Sequence, residues 1–132
     1  NFMFKTTDDE NVKIIDFGLC ERYLDYKGAH IKAKTLSNPI GTDLYSSIRM
    51  MRCTQPGRMD DIECIGYLLL YLYSGELPWS KSSTAEEILS MKQDSTSFLD
   101  APEHIREFIL SSQGHCFDTK PDYYQFKGFL TN

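Results

Sequence analysis

Asp16-Phe17-Gly18 closes a β-branched run, Val12-Lys13-Ile14-Ile15. A carboxylate at the end of a strand is well placed to hold a divalent cation. The glycine that follows lets the chain turn sharply away. The plainer reading of the triplet is a turn with a solvated aspartate, and the triplet alone does not choose between them. Asn1 lies fifteen residues upstream of Asp16. Hairpin strands that start and end together would put its amide oxygen and the Asp16 carboxylate on one edge, within reach of one cation. Gly41, Thr42, Tyr45 and Ser47 form a second polar group. Read plainly, the Thr42 hydroxyl belongs to a turn. Asp60 and Asp61 stand together where a long apolar run begins.

These residues need elements to place them. Asn1 to Phe4 and Val12 to Ile15 flank a polar stretch rich in turn formers, residues 6–11, and together predict a hairpin. Residues 19–57 hold Gly28, Pro39, Gly41, Pro56 and Gly57 and no long helical period. They predict an extended, irregular segment, and a loop of that length is usually functional. Residues 60–74 predict the main helix, capped by Asp60 or Asp61 and stopped by Gly75. Its middle is apolar nearly all round, which predicts a buried central helix. Thr84 and Glu87 form a capping-box pattern opening a helix over 84–91. Pro102 opens another over 102–113, with Ile105, Phe108 and Ile109 on one face. Residues 121–130 predict a last short helix with Tyr124, Phe126, Phe129 and Leu130 facing inward. The fold class is mainly α with a short β-hairpin near the N-terminus.

Composition narrows the function. The 132 residues are 41% hydrophobic and 25% charged, with a formal net charge of -5. That is an ordinary globular balance. No apolar run nears the roughly 20 residues a membrane-spanning helix needs, so no membrane is expected. No dense Lys/Arg block supplies the basic face that nucleic acid requires, so no nucleic-acid partner is expected. Cys20, Cys53, Cys64 and Cys116 form no CxxC pair, against a zinc ribbon. Scattered cysteines without a signal peptide imply reduced thiols, and so a cytoplasmic or nuclear location.

The ordered motifs together carry a resemblance. Asn1-x(14)-Asp16-Phe17-Gly18 resembles the end of a protein kinase catalytic loop running into the magnesium-binding motif. Gly41-Thr42-x-x-Tyr45-x-Ser47-Ile48 resembles the substrate-binding loop of the casein kinase 1 family. So do His30-Ile31 ahead of it, Asp60-Asp61-Ile62-Glu63-x-Ile65-Gly66-Tyr67, Gly75-x-Leu77-Pro78-Trp79 and Lys120-Pro121-Asp122-Tyr123 for their own places in that family. The related vaccinia-related kinases share several of these features but fit the spacing from His30 to Gly41 less well. The likeness spans essentially the whole chain.

The resemblance implies a partial C-lobe of the protein-kinase-like α+β fold across residues 1–132. Residues 16–48 would be the activation segment and substrate-binding loop. The implied activity is Ser/Thr protein phosphorylation, with Mg and ATP. Asp16 would chelate the magnesium that bridges ATP phosphates, and Asn1 would hold a second. Thr42 would set its hydroxyl against the catalytic Asp and its partner Lys. Asp61 would fix the catalytic-loop backbone by accepting N–H bonds. Phe17 would pack in the regulatory spine, and Gly18 would give the turn. Gly41, Thr42, Tyr45 and Ser47 would form the loop that binds protein substrates.

Departures accompany the likeness. Leu44 stands where the family usually carries a basic residue that binds an upstream phosphate, and Ser83 where it carries a Lys. Residues 80–117 are shorter than the family's stretch. No Gly-rich loop and no phosphate-pairing strand Lys are present, and the family's catalytic Asp would fall before residue 1. The expectation is therefore a C-lobe fragment, inactive alone, whose missing N-lobe belongs to the parent kinase. A non-catalytic binding module, a pseudokinase or decoy, stands as the alternative.

Overall fold

The computed structural model describes residues 1–6 and 11–131. The expected hairpin turn falls partly on residues 7–10, outside the described residues. The chain divides into two compact units, Asn1–Ile31 and Lys32–Asn132.

The first unit carries the expected hairpin. Strand β1 (Phe2–Phe4) pairs antiparallel with β2 (Val12–Ile14), with Phe2 opposite Ile14 and Phe4 opposite Val12. β-Branched and aromatic residues favour such a pleated ribbon. The Ile15 N–H donates to the Asn1 carbonyl at 2.9 Å, carrying the pairing one step past β2. Further on, Leu24 bridges His30. Asp25 closes the turn between them, its carboxylate accepting from the Lys27 and Ala29 N–H groups at 2.8 and 3.0 Å. Such an aspartate turn imitates a backbone turn with its own side chain.

The second unit is helical. Helix α1 (Ile48–Met51) interrupts the segment expected to be irregular throughout. Four residues show little periodicity, and Ser47, its N-cap, is what makes it start. Helix α2 (Arg58–Ser74) begins two residues before the expected Asp60. Gly57 is its N-cap, and Asp60 reaches back to accept the Gly57 N–H at 2.7 Å. Gly75 ends it in the left-handed conformation, φ 78°. Helix α3 (Ala85–Gln93) opens on the predicted capping box, Thr84 and Glu87 each accepting the other's backbone N–H. A short 3-10 turn over Ser95–Phe98 follows. Helix α4 (Glu103–Ser112) starts behind Pro102, and α5 (Tyr123–Phe129) behind Asp122, whose carboxylate accepts from Tyr124 and Gln125.

The core lies between α2, α3 and α4. Tyr67, Leu70, Leu77, Trp79, Ile88, Phe98, Ile105 and Ile109 pack together there. Met59, Phe108 and Phe126 form a second cluster where α5 meets α4, with the Phe108 and Phe126 rings 5.0 Å apart. Gly66 lets α2 and α4 approach: a Cβ at that position would stand 2.9 Å from Ile109 Cγ1.

Two expectations of burial are corrected. Helix α2 is buried along one stripe, Met59, Glu63, Gly66, Tyr67 and Leu70, while Leu72 and Tyr73 are exposed. Its apolar residues run all round, but the helices of this unit pack on one side of it. On α5, Phe126 is buried and Phe129 half-buried, but Tyr124 and Leu130 are exposed. Phe126 and Phe129 pack on Phe108 of α4, whereas Tyr124 lies off that face and Leu130 lies past the last residue of the helix. Among the described residues, no helix is long and apolar enough to cross a membrane.

Candidate functional site

In the first unit, the strand register settles where Asn1 and Asp16 stand. Asn1 is paired with Ile15, so Asp16 is the next residue beyond the ladder at the same end of the hairpin. Both are exposed. Asp16 adopts φ 62°, and a non-glycine residue there carries backbone strain of about 1 kcal/mol. Its Oδ1 accepts the Gly18 N–H at 3.3 Å. Its other oxygen has no protein partner among the described residues. Phe17, expected inside a spine, is 64% exposed. Cys20 is exposed as well.

The donors fit magnesium chemically. Mg²⁺ takes hard oxygen ligands and keeps several waters, so one or two protein oxygens plus substrate phosphate are its usual set. A carboxylate and an amide oxygen at one hairpin end match that number and kind.

In the second unit, residues 41–47 form a loop held by its backbone. Gly41 takes φ 90°, a conformation that glycine adopts without a Cβ penalty. The Thr42 carbonyl accepts the Tyr45 and Ser46 N–H groups at 2.9 Å each, and the Ser46 hydroxyl at 3.0 Å. The next carbonyls turn inward. Lys92 Nζ donates to Asp43 O at 2.5 Å and to Ser46 O at 2.6 Å, and Trp79 Nε1 donates to Leu44 O at 2.9 Å. Trp79, expected to be a packing anchor, is therefore also a donor to the loop. Thr42 itself stays exposed. The Tyr45 ring meets Tyr71 edge-on at 6.0 Å.

The loop's far end is held by carboxylates on α2. Ser47 donates to Asp60 Oδ1 at 2.6 Å, and the Ile48 N–H donates to Glu63 Oε1 at 2.8 Å. Tyr67 donates to the same Glu63 oxygen at 2.6 Å. Burial pushes the Glu63 carboxyl above its ordinary range, and those two hydrogen bonds pull it partly back. Burial likewise drives the Tyr67 phenol well up, with the Glu63 charge adding to it. The neighbouring Cys64 thiol is pushed up to about 12, first by burial and then by Glu63, so it is an inert thiol.

Asp60 and Asp61 stand in different surroundings within this unit. Asp60 is 2% exposed and holds Ser47 and the Gly57 N–H. Asp61 is exposed, and its carboxylate has no hydrogen-bond partner among the described residues. Desolvation and the Asp60 charge both push its carboxyl up. Sequence reading missed Lys92 and Glu63. Glu63 carried a signal, since an acid inside an apolar helical stripe must find a partner. Lys92 carried none, because its partners lie 46 and 49 residues away.

No family model matches the chain.

Proposed function

We propose that the chain is the C-lobe part of a Ser/Thr protein kinase resembling the casein kinase 1 family. On this reading it transfers the γ-phosphoryl group of ATP to protein hydroxyls once joined to its N-lobe. The observation that carries the proposal is the backbone of Asp16. A carboxylate strained into φ 62°, directly after the Ile15 N–H that bonds the Asn1 carbonyl at the end of the hairpin, is held there at a cost. Strain of this kind clusters at functional sites.

When bound there, magnesium neutralises charge on the phosphates during transfer. Asp16 and Asn1 offer the oxygens that hold it. Thr42 presents a hydroxyl without a partner among the described residues, from a turn whose carbonyl is fully engaged, and the Gly41–Ser47 loop receives the protein substrate. Residence in the cytoplasm or nucleus, where ATP and protein substrates are at hand, belongs to the same reading.

The test is phosphoryl transfer from labelled ATP to casein by the full-length protein with magnesium. Asp16→Ala is expected to lower the rate at least about 100-fold, as removal of a key charge-stabilising group does, and to leave thermal stability nearly unchanged. Transfer that survives Asp16→Ala removes the magnesium role. A full-length protein that transfers nothing removes the enzyme.

A further inference from the structure

Lys92 is fully buried, which a lysine tolerates only with partners. Its ammonium donates to the Asp43 and Ser46 carbonyls. The ring centroids of Tyr67 and Trp79 lie 4.7 and 5.2 Å from the nitrogen. Carbonyl oxygens and aromatic faces all present partial negative charge. The surroundings of the nitrogen are therefore those of a cation site, and an apolar side chain of the same length would fill its space without supplying a donor.

The two gripped carbonyls bracket the short stretch that closes the Thr42 turn. The Tyr45 and Ser46 N–H groups, which donate back to Thr42 O, lie within the stretch that Lys92 anchors. Trp79, whose ring faces Lys92, grips the carbonyl between. The exposed Thr42 hydroxyl is thus placed from beneath by one charge on α3.

We propose that Lys92 is a positioning residue for protein substrate. Its ammonium sets the backbone of residues 43–46 and, through it, the loop that receives the substrate. The substrate part rests on the kinase reading above; the loop-setting part does not. The effect falls on the protein substrate and leaves ATP binding unchanged, because the loop's carbonyls and not the magnesium residues are held.

The experiment compares wild type, Lys92→Met and Lys92→Arg in the full-length protein. Amide hydrogen exchange is read at Tyr45 and Ser46, and steady-state kinetics are read with casein and ATP. Lys92→Met is expected to speed exchange at Tyr45 and Ser46 roughly tenfold, with α2 and α4 amides unchanged. It should raise KM for casein roughly tenfold and leave KM for ATP as it was. Lys92→Arg, which keeps the charge, should recover much of both losses. Unchanged loop exchange in Lys92→Met overturns the proposal, and so does exchange that speeds equally through every helix, the mark of an ordinary core lysine. A rise in KM for ATP alone overturns the substrate role. If wild type phosphorylates nothing while Lys92→Met loosens only the loop, the kinase reading fails and the loop-setting role stands. Where Lys92→Met does not fold, Lys92→Gln, which keeps N–H donors without the charge, is held to the same outcomes.

Discussion

Ser47 donates its hydroxyl to Asp60 at 2.6 Å, and through that contact one carboxylate serves two helix starts. Ser47 is the N-cap of α1 and accepts the Met50 N–H at 3.1 Å. The second Asp60 oxygen accepts the Gly57 N–H at the start of α2, and the Arg49 guanidinium stands 3.5 Å from it. A buried carboxylate is costly to hold unless each of its oxygens is satisfied. Here the two donors come from the starts of two different helices and the Arg49 cation stands beside them, so the charge ties the end of the loop before α1 to the central helix.

Removing either side of that contact should be expensive. Ser47→Ala loses an N-cap and leaves a buried oxygen short of a donor, for about 2 to 3 kcal/mol together. Asp60→Ala strands Ser47, the Gly57 N–H and Arg49, for about 3 to 5 kcal/mol. Asp61→Asn should be neutral or stabilising at pH 7, since desolvation and the Asp60 charge already oppose its ionisation. Urea unfolding of the three variants checks the order. An Asp61 variant that costs more than Asp60→Ala would show the buried role to be assigned backwards.

The residues that sequence reading placed well are those whose partners are near in the chain. Thr84 and Glu87 satisfy each other three residues apart, and Gly75 stops α2 by its own conformation, so both were legible. The hairpin followed from β-branched and aromatic runs on either side of a polar stretch. Asp60 and Asp61 were not separable, because which of two adjacent acids turns inward depends on where the helix starts, and Gly57 starts it two residues early. Tyr124 looked apolar enough to bury, but only the Phe126 side of α5 meets α4. Lys92 was invisible on two counts, the first being that its partners are far away in the chain. Its carbonyl partners belong to the backbone, which leaves no side-chain signature in the sequence.

The buried ammonium predicts a pH signature. Burial draws the Lys92 amine down to about 8, while Cys64, Glu63 and Asp43 hold it partly up. The unfolded chain titrates the same amine near 10.5. Between the two values the unfolded state binds more protons, so this group adds stability as pH rises from about 8 to 10.5 and adds no slope below 8. Wild type compared with Lys92→Met isolates it, since the other titrating groups are common to both. The stability of wild type relative to the variant should be flat from pH 6 to 8 and climb above that. A relative stability that falls over the upper window is the result that removes this assignment.

Two glycines predict steric effects of different size. A Cβ on Gly66 meets a side-chain carbon of Ile109 at 2.9 Å, where the neighbour can yield somewhat. Gly66→Ala is expected to cost about 1 to 3 kcal/mol by overpacking the α2–α4 contact. A Cβ on Gly57 would meet the Phe117 carbonyl oxygen at 2.3 Å, and that atom belongs to backbone. Gly57→Ala should therefore be the worse substitution, and it should also disturb the Asp60 bond to the Gly57 N–H. Thermal unfolding of the pair checks the ranking, and equal losses would mean the Phe117 segment moves aside freely.

Thr42 separates scaffold from site. Its carbonyl is bound by Tyr45 and Ser46, but its hydroxyl has no partner among the described residues and its side chain is exposed. Nothing in the packing of this unit needs that hydroxyl. Thr42→Val keeps the shape and the β-branching and removes only the oxygen, so stability should change by less than about 0.5 kcal/mol, as for a surface substitution. If the hydroxyl meets the transfer machinery of the complete kinase, Thr42→Val lowers the rate of casein phosphorylation by the full-length protein, and Thr42→Ser restores most of it. Loss of activity with unchanged melting is the pattern of a residue kept for chemistry. Full activity in Thr42→Val would return the residue to the role of a turn hydroxyl, while a large fall in melting temperature would mean the hydroxyl has a structural partner.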